Sequence, residues 1–121
     1  MNRRVLVVDD NEANLELFTD FLAVGSYECL QASSGPEALK IARIEHPDLV
    51  LLDIQLPGID GLTVAKNLKD EEETKHIKVV ALTAHSMQMN GELFINKAFD
   101  GYIAKPVSLK EFLAALDSYF V

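Results

Sequence analysis

Short aliphatic runs of strand length alternate with stretches of helical periodicity along the whole chain, and this alternation limits the fold more than any other feature. The first run, 5–8, is followed by apolar residues that recur at helical spacing over 15–22. Continuous aliphatic strands of this kind are buried on both faces of a sheet, and crossover helices cover those faces. The sequence therefore predicts an α/β domain with a five-stranded parallel sheet and five helices on both of its faces. The other predicted strands lie at 27–32, 49–52, 77–82 and 101–104.

Two of the predicted helices begin with capping side chains. Ser34 and Glu37 have the spacing of a capping box, and so do Ser108 and Glu111. The helix after Ser108 continues with apolar residues at helical spacing as far as Phe120.

Composition and charge argue against several classes of partner. The chain has 121 residues, 49% of them hydrophobic, with 11 Lys and Arg against 19 Asp and Glu, so its formal net charge is −8. Phosphate backbones and anionic lipid repel such a chain, so we expect neither nucleic acid nor a membrane as a partner. No apolar stretch reaches the roughly 20 residues of a membrane span. The single cysteine, Cys29, fits a core position in a reducing cytoplasm, and we expect one cytoplasmic domain over 1–121.

Polar side chains stand where the predicted strands end. Ligands of parallel α/β sheets bind at these carboxyl ends, so the side chains there are predicted to meet. Carboxylates about 4 Å apart repel by about 4 kcal/mol per pair at an effective dielectric constant near 20, so a cluster of them needs a cation or raised pKa values. Mg²⁺ is favoured over Ca²⁺ because it uses one or two carboxylates and takes other ligands from water and phosphate. The strand-end residues are Asp9 and Asp10, Asp53, Thr83 and Lys105.

These side chains suggest phosphoryl transfer. A strand-end carboxylate can attack phosphorus, while the metal, the amine of Lys105 and the hydroxyl of Thr83 neutralise and hold the phosphoryl oxygens. Asp53 is the better candidate for the nucleophile because it stands alone on its strand, whereas the adjacent Asp9 and Asp10 suit an ion. Spacing alone does not decide between these roles.

Four segments, in this order, resemble the receiver domain of two-component response regulators, such as the chemotaxis regulator and the single-domain regulators of cell-cycle relays. They read VLVVDDN at 5–11, DLVLLDIQLPGIDG at 48–61, VVALTA at 79–84 and YIAKP at 102–106. The resemblance implies a flavodoxin-like receiver fold with strand order 2-1-3-4-5 and a phosphoryl group accepted on Asp53. It also implies Mg²⁺ held by Asp9, Asp10, Asp53 and the backbone carbonyl of Gln55.

The same resemblance implies a signalling switch. Thr83 and Lys105 would contact the phosphoryl group, and Tyr102 would turn inward. Gln55 and His85 would tune the lifetime of the phosphoryl group. The fourth helix, the fifth strand and the fifth helix would form the remodelled surface.

The resemblance further implies protein partners on both sides of the signal. A histidine kinase or a histidine phosphotransfer protein would be the donor, a downstream protein would be the target, and the chain would be a single-domain monomer or weak dimer. Its only chemistry would be its own phosphorylation and dephosphorylation, so we do not expect an enzyme.

The residues also bear on two other functions, and they argue against the first. A phosphatase of the haloacid-dehalogenase type would carry a second aspartate two residues after the nucleophile, but that position is Gln55. A protein-binding module of the same fold that works without phosphorylation would be favoured by loss of an acidic residue or of Lys105, and all of them are present. One departure from the family lies at the end of the predicted fourth helix, within 87–98, where Lys97 stands in place of the usual glycine and Asn96 could take the left-handed cap instead.

Each site residue also has a purely structural interpretation. Asp10 or Asp53 alone would be a helix N-cap, Tyr102 a core aromatic and His85 a solvent-facing histidine. Their joint placement with Thr83 and Lys105 favours the functional interpretation.

Overall fold

Five parallel strands form one sheet in the order β2-β1-β3-β4-β5, so the predicted fold class and strand order are confirmed. The computed structural model describes residues 3–53, 61–83, 99–104 and 108–120, with the backbone alone of Thr83. The strands are β1 (Arg4–Val8), β2 (Glu28–Ala32), β3 (Leu49–Asp53), β4 (Lys78–Thr83) and β5 (Gly101–Ala104).

Helices connect the strands and cover the sheet. They are α1 (Glu12–Val24), α2 (Gly35–Glu45), α3 (Gly61–Asp70) and a C-terminal helix (Leu109–Asp117), which continues as a 3-10 turn (Ser118–Phe120). The predicted fourth helix, within 87–98, lies outside the described residues. None of the helices within the described ranges has the length and apolar character that a bilayer crossing requires.

Both faces of the sheet are buried, as the continuous aliphatic strands predict. Successive strand residues point to opposite faces, and those of 5–8, 49–52 and 79–82 are all buried. One core cluster joins β1, β3 and β4 to the apolar sides of α2 and α3, and the other joins them to α1 and the C-terminal helix. The rings of Phe18 and Phe112 stack with centroids 5.2 Å apart and fasten the C-terminal helix to α1. The sheet is therefore fixed from both sides.

Of the two predicted capping boxes, one forms completely and the other forms only in part. Ser108 Oγ accepts the Glu111 N–H at 3.1 Å, and the Glu111 carboxylate accepts the Ser108 N–H at 3.3 Å, so this box is confirmed. Ser34 Oγ accepts the Glu37 N–H at 3.3 Å, but the Glu37 carboxylate accepts the N–H of Ser33, one residue earlier than predicted. The C-terminal helix also ends earlier than predicted, because its last residues tighten into the 3-10 turn.

Cys29 lies on the edge strand β2 and is half-buried against the core rather than enclosed in it. Burial raises the pKa of its thiol, and the Thr19 hydroxyl, 3.5 Å from Sγ, opposes that shift only in part. A thiol with a raised pKa stays protonated near neutral pH and is a poor nucleophile. Cys29 is therefore a packing residue.

The turn between α1 and β2 is a Schellman motif with serine where glycine is usual. The Tyr27 N–H bonds the Leu22 carbonyl at 2.9 Å, and the Ser26 N–H bonds the Ala23 carbonyl at 3.1 Å. Ser26 has φ 65, in the left-handed region. Gly25 precedes it, and a Cβ there would lie 2.5 Å from Leu113 Cδ2. The glycine thus serves the close approach of the C-terminal helix.

Replacing Ser26 by glycine should stabilise the protein. The left-handed conformation costs a non-glycine residue about 1–2 kcal/mol, and glycine avoids this cost. Glycine also gives the unfolded chain more conformational entropy, which offsets part of the gain in stability. We expect Ser26→Gly to raise the free energy of unfolding by about 0.5–1 kcal/mol, measured by urea denaturation. Ser118→Gly is the matched control, because Ser118 is right-handed with φ −64, and it should lower stability. A loss of stability in Ser26→Gly would contradict this account of the turn.

Candidate functional site

The carboxyl ends of β1 and β3 lie side by side at the centre of the sheet. Val8 pairs with Leu52, so the residues that follow them, Asp9 and Asp53, lie side by side. The chain runs outward from β1 to β2 on one side and from β3 to β4 and β5 on the other. The two aspartates therefore lie at the topological switch point, where parallel α/β sheets bind ligands.

The same edge continues through β4 and β5. Asp53 pairs with Leu82, so the backbone of Thr83 extends one residue beyond it. Thr83 pairs with Ala104, the residue that precedes Lys105 in the sequence.

Three carboxylates converge at this switch point. Asp9, Asp10 and Asp53 each offer an oxygen, and these oxygens all lie within 4.8 Å of one another. Asp9 is fully buried, Asp53 is half-buried and Asp10 is exposed. At this separation each ionised pair repels by about 1 kcal/mol in a water-like dielectric and about 3.5 kcal/mol at a dielectric constant near 20. The predicted acidic cluster is thus brought together, and it favours a cation.

The start of α1 holds Asp9 in place. Asp9 Oδ1 accepts the Asn11 N–H at 3.0 Å, and Oδ2 accepts from Asn14 Nδ2 at 3.2 Å. Asn11 Oδ1 accepts the Asn14 N–H at 3.1 Å and is the N-cap of α1, so the N-cap interpretation of Asp10 is wrong. Sequence reasoning missed Asn14, because its place three residues after the N-cap indicates a contact with Asn11 and not with Asp9.

The donor set of the cluster fits Mg²⁺. Its ligand atoms are carboxylate oxygens, which a hard divalent cation prefers over the nitrogen and sulfur ligands of zinc. The exposed Asp10 and half-buried Asp53 leave one side of the cluster accessible to water or phosphate oxygens. Asp9, bonded from behind by α1, cannot turn away from the other two.

The structure describes only some of the remaining predicted site residues. Gln55, His85 and Lys105 lie outside the described residues, as does the side chain of Thr83, so their roles stay predictions. Tyr102 lies on β5 with 47% of its surface exposed. The core-aromatic interpretation of Tyr102 is therefore wrong.

A carboxylate anchors the start of β5, the strand that carries Tyr102. Asp100 Oδ2 accepts the Val79 N–H at 2.7 Å, and the Asp100 N–H bonds the Val79 carbonyl at 2.7 Å. Lys69 pairs with the same carboxylate at 2.7 Å and also donates to the Ile77 carbonyl at 2.9 Å. The strand is thus tied to β4 and α3 at the end remote from the acidic cluster.

Known proteins are similar to this chain in sequence and in fold. The family described as "Response regulator receiver domain" matches residues 5–117. The polar-differentiation response regulator DivK of Brucella ovis is 45% identical over 119 residues, which cover 98% of this chain and 97% of DivK. A CheY-like receiver domain protein of Methanospirillum hungatei JF-1 is 27% identical with a TM-score of 0.88, covering 98% of this chain and 94% of its own. The receiver domain of the Pseudomonas aeruginosa PAO1 sensor histidine kinase PA1611, with a magnesium ion coordinated in its active site cleft, is 25% identical with a TM-score of 0.89, covering 98% of both chains.

The chain belongs to the response regulator receiver family of two-component signalling, as the sequence motifs predict. Receiver domains bind Mg²⁺ at an acidic pocket, and Asp9, Asp10 and Asp53 form an acidic cluster here. Receiver domains also interact with histidine kinases or phosphotransfer proteins and with downstream targets.

Neutralising one carboxylate of the cluster should stabilise the metal-free protein. We expect Asp10→Asn and Asp53→Asn each to raise the free energy of unfolding by about 1–3 kcal/mol in EDTA, because each removes repulsion from two neighbours. In saturating Mg²⁺ the wild type should be more stable than either variant, because the ion stabilises the native state and has fewer ligands in the variants. Urea denaturation with EDTA and with Mg²⁺ measures both effects.

Asp20→Asn is the control for this experiment. Asp20 is an exposed carboxylate of α1 outside the cluster, and its loss should change stability by no more than about 0.5 kcal/mol in either buffer. Equal effects of all three substitutions would show that net charge, and not the cluster, governs stability.

Proposed function

We propose that this receiver domain accepts a phosphoryl group on Asp53 from a phosphohistidine donor, with Mg²⁺ bound at the acidic cluster. The observation that carries the proposal is the convergence of three carboxylates within 4.8 Å at the ends of neighbouring parallel strands. Asp53 is assigned as the acceptor because it is half-buried at the end of β3. Asp9 is fully buried and hydrogen-bonded to α1, which suits a fixed ligand.

The transfer needs one nucleophile and one leaving group. A carboxylate oxygen of Asp53 forms the new bond to phosphorus, and the P–N bond to the imidazole of the donor breaks. The electron pair of that bond leaves with the imidazole nitrogen, which takes up a proton, and the product is an aspartyl phosphate. Bound Mg²⁺ supplies the positive charge that offsets the carboxylates and the phosphoryl oxygens.

The proposal gives the other site residues supporting roles. The hydroxyl of Thr83 and the ammonium of Lys105 donate hydrogen bonds to the phosphoryl oxygens. The register that aligns the ends of β3, β4 and β5 supports these assignments. Gln55 and His85 control the access of water and hence the lifetime of the phosphoryl group. Metal coordination is assigned to Asp9, Asp10, Asp53 and the backbone carbonyl of Gln55.

We propose that Tyr102 reports the phosphorylated state by turning inward. Its side chain starts 47% exposed, so an inward rotamer would bury aromatic surface. A change from 1% to 99% active requires phosphorylation to favour the active state by about 5.5 kcal/mol. New hydrogen bonds from Thr83 and Lys105 to a dianion supply energy of this kind. The surface of the fourth helix, β5 and the C-terminal helix then presents a changed face to a downstream protein.

The proposed chemistry is self-modification in the cytoplasm, so the domain is not an enzyme that turns over a separate substrate. The donor is a histidine kinase or a histidine phosphotransfer protein, and the domain is a monomer or weak dimer. A net charge of −8 favours donors and targets with basic faces.

Intact mass after incubation with acetyl phosphate tests the proposal. We expect a single phosphoryl adduct on the wild type with Mg²⁺ and none in EDTA. Asp53→Asn should show no adduct, because the attacking oxygen is gone. Asp20→Asn, which keeps the cluster intact, should be phosphorylated like the wild type.

A failure with acetyl phosphate calls for a phosphorylated histidine phosphotransfer protein as donor. Transfer from that protein to Asp53 still supports the proposal. Absence of an adduct with either donor contradicts it and favours a protein-binding module of the same fold that works without phosphorylation.

A further inference from the structure

A polar cleft lies where the strands begin, at the end of the sheet opposite to Asp53. It has a volume of about 350 Å³ and is formed where β1, β3 and β4 begin and where the chain makes its C-terminal 3-10 turn. A strand of five residues is about 16 Å long, so the whole sheet separates the cleft from the acidic cluster. Its polar lining includes Arg3, His46, Asp48, His76 and Lys78.

The charge of this cleft is opposite to that of the chain as a whole. Arg3 and Lys78 form no ion pair with any carboxylate in the described part of the chain. Their neighbour Arg4, by contrast, pairs with Glu28 and with Glu45. Among the described residues the lining contains one carboxylate, Asp48, and its Oδ2 accepts the Arg4 N–H at 2.8 Å.

The two cations are held at the cleft by groups that carry no net charge. Arg3 donates to the Phe120 carbonyl at 3.4 Å, and Lys78 donates to the Tyr119 carbonyl. The Arg3 guanidinium carbon lies 4.5 Å from the centroid of the Phe120 ring, and Lys78 Nζ lies 5.9 Å from it. The Phe120 ring and the C-terminal turn therefore hold both cations at the same cleft.

We propose that this cleft binds a small phosphate-bearing anion. The guanidinium fork of Arg3 matches two phosphate oxygens, and Lys78 adds a second positive charge to the same cleft. His46 and His76 line the same cleft, and each imidazole offers an N–H donor even when neutral. The cleft volume of about 350 Å³ suits a phosphate monoester, since the smallest sites for small molecules have volumes of about 300 Å³.

His46 lines the cleft from an unusual backbone conformation. His46 caps α2 in the left-handed conformation with φ 48, and Pro47 follows it. Glycine or asparagine is usual at such a cap, and a residue before proline is normally extended. The chain nevertheless places an imidazole at the rim of the cleft.

Titration of the metal-free protein with inorganic phosphate, followed by two-dimensional amide NMR, tests the proposal. Sodium chloride at matched ionic strength is the reference. We expect saturable shifts confined to the amides of Arg3, Asp48, Lys78 and the 3-10 turn. The double variant Arg3→Gln, Lys78→Gln should raise the dissociation constant about tenfold or more, since it removes both charge-assisted contacts. Glycerol 2-phosphate in place of phosphate shows whether a monoester is preferred to the free ion.

The matched control is the double variant Lys40→Gln, Lys66→Gln, which removes two exposed lysines outside the cleft. It should bind phosphate with an unchanged dissociation constant. If the double cleft variant does not fold, Lys78→Gln alone must weaken binding. Shifts that do not saturate, or that respond equally to both double variants, would overturn the proposal as general charge screening.

Discussion

Repulsion between the carboxylates of Asp9, Asp10 and Asp53 is the interaction on which the functional site depends. The register of β1 and β3 places two of these carboxylates side by side. The hydrophobic cores on both faces of the sheet keep the strands from moving apart. Hydrogen bonds from Asn11 and Asn14 keep the buried Asp9 from turning away. The folding energy of the domain therefore maintains a site whose charge a divalent cation relieves.

The sequence predicts the sheet well because its signals are local and repeated. The aliphatic runs that became β1 and β3 are buried on both faces, a condition that leaves few alternatives to a covered parallel sheet. Once the strands are known, the positions of Asp9 and Asp53 at the same edge follow from parallel register. The full capping box of Ser108 was equally readable, because both partners lie within one helical turn.

The features that sequence reasoning missed depend on contacts between distant parts of the chain or on small local choices. The partner of Asp9 on α1 is one of two asparagines with the same capping chemistry, and only the fold shows that Asn14 reaches the carboxylate. Ser26 takes the left-handed position although a glycine precedes it, and that glycine meets Leu113, which is far away in the chain. Arg3 meets the carbonyl of Phe120 across 117 positions, a contact that no periodicity encodes.

The acidic cluster and the cationic cleft lie at opposite ends of the strands, so these two sites together contribute an electric dipole along the strand direction, in addition to the net charge of −8. A dipole experiences a torque in the field of a charged surface, whereas net charge alone gives only attraction or repulsion. A positively charged surface is therefore attracted to the Asp53 edge and repelled from the cleft, which favours one orientation of approach. This orientation is gained within about a Debye length, roughly 8 Å at physiological ionic strength, and it weakens as salt increases.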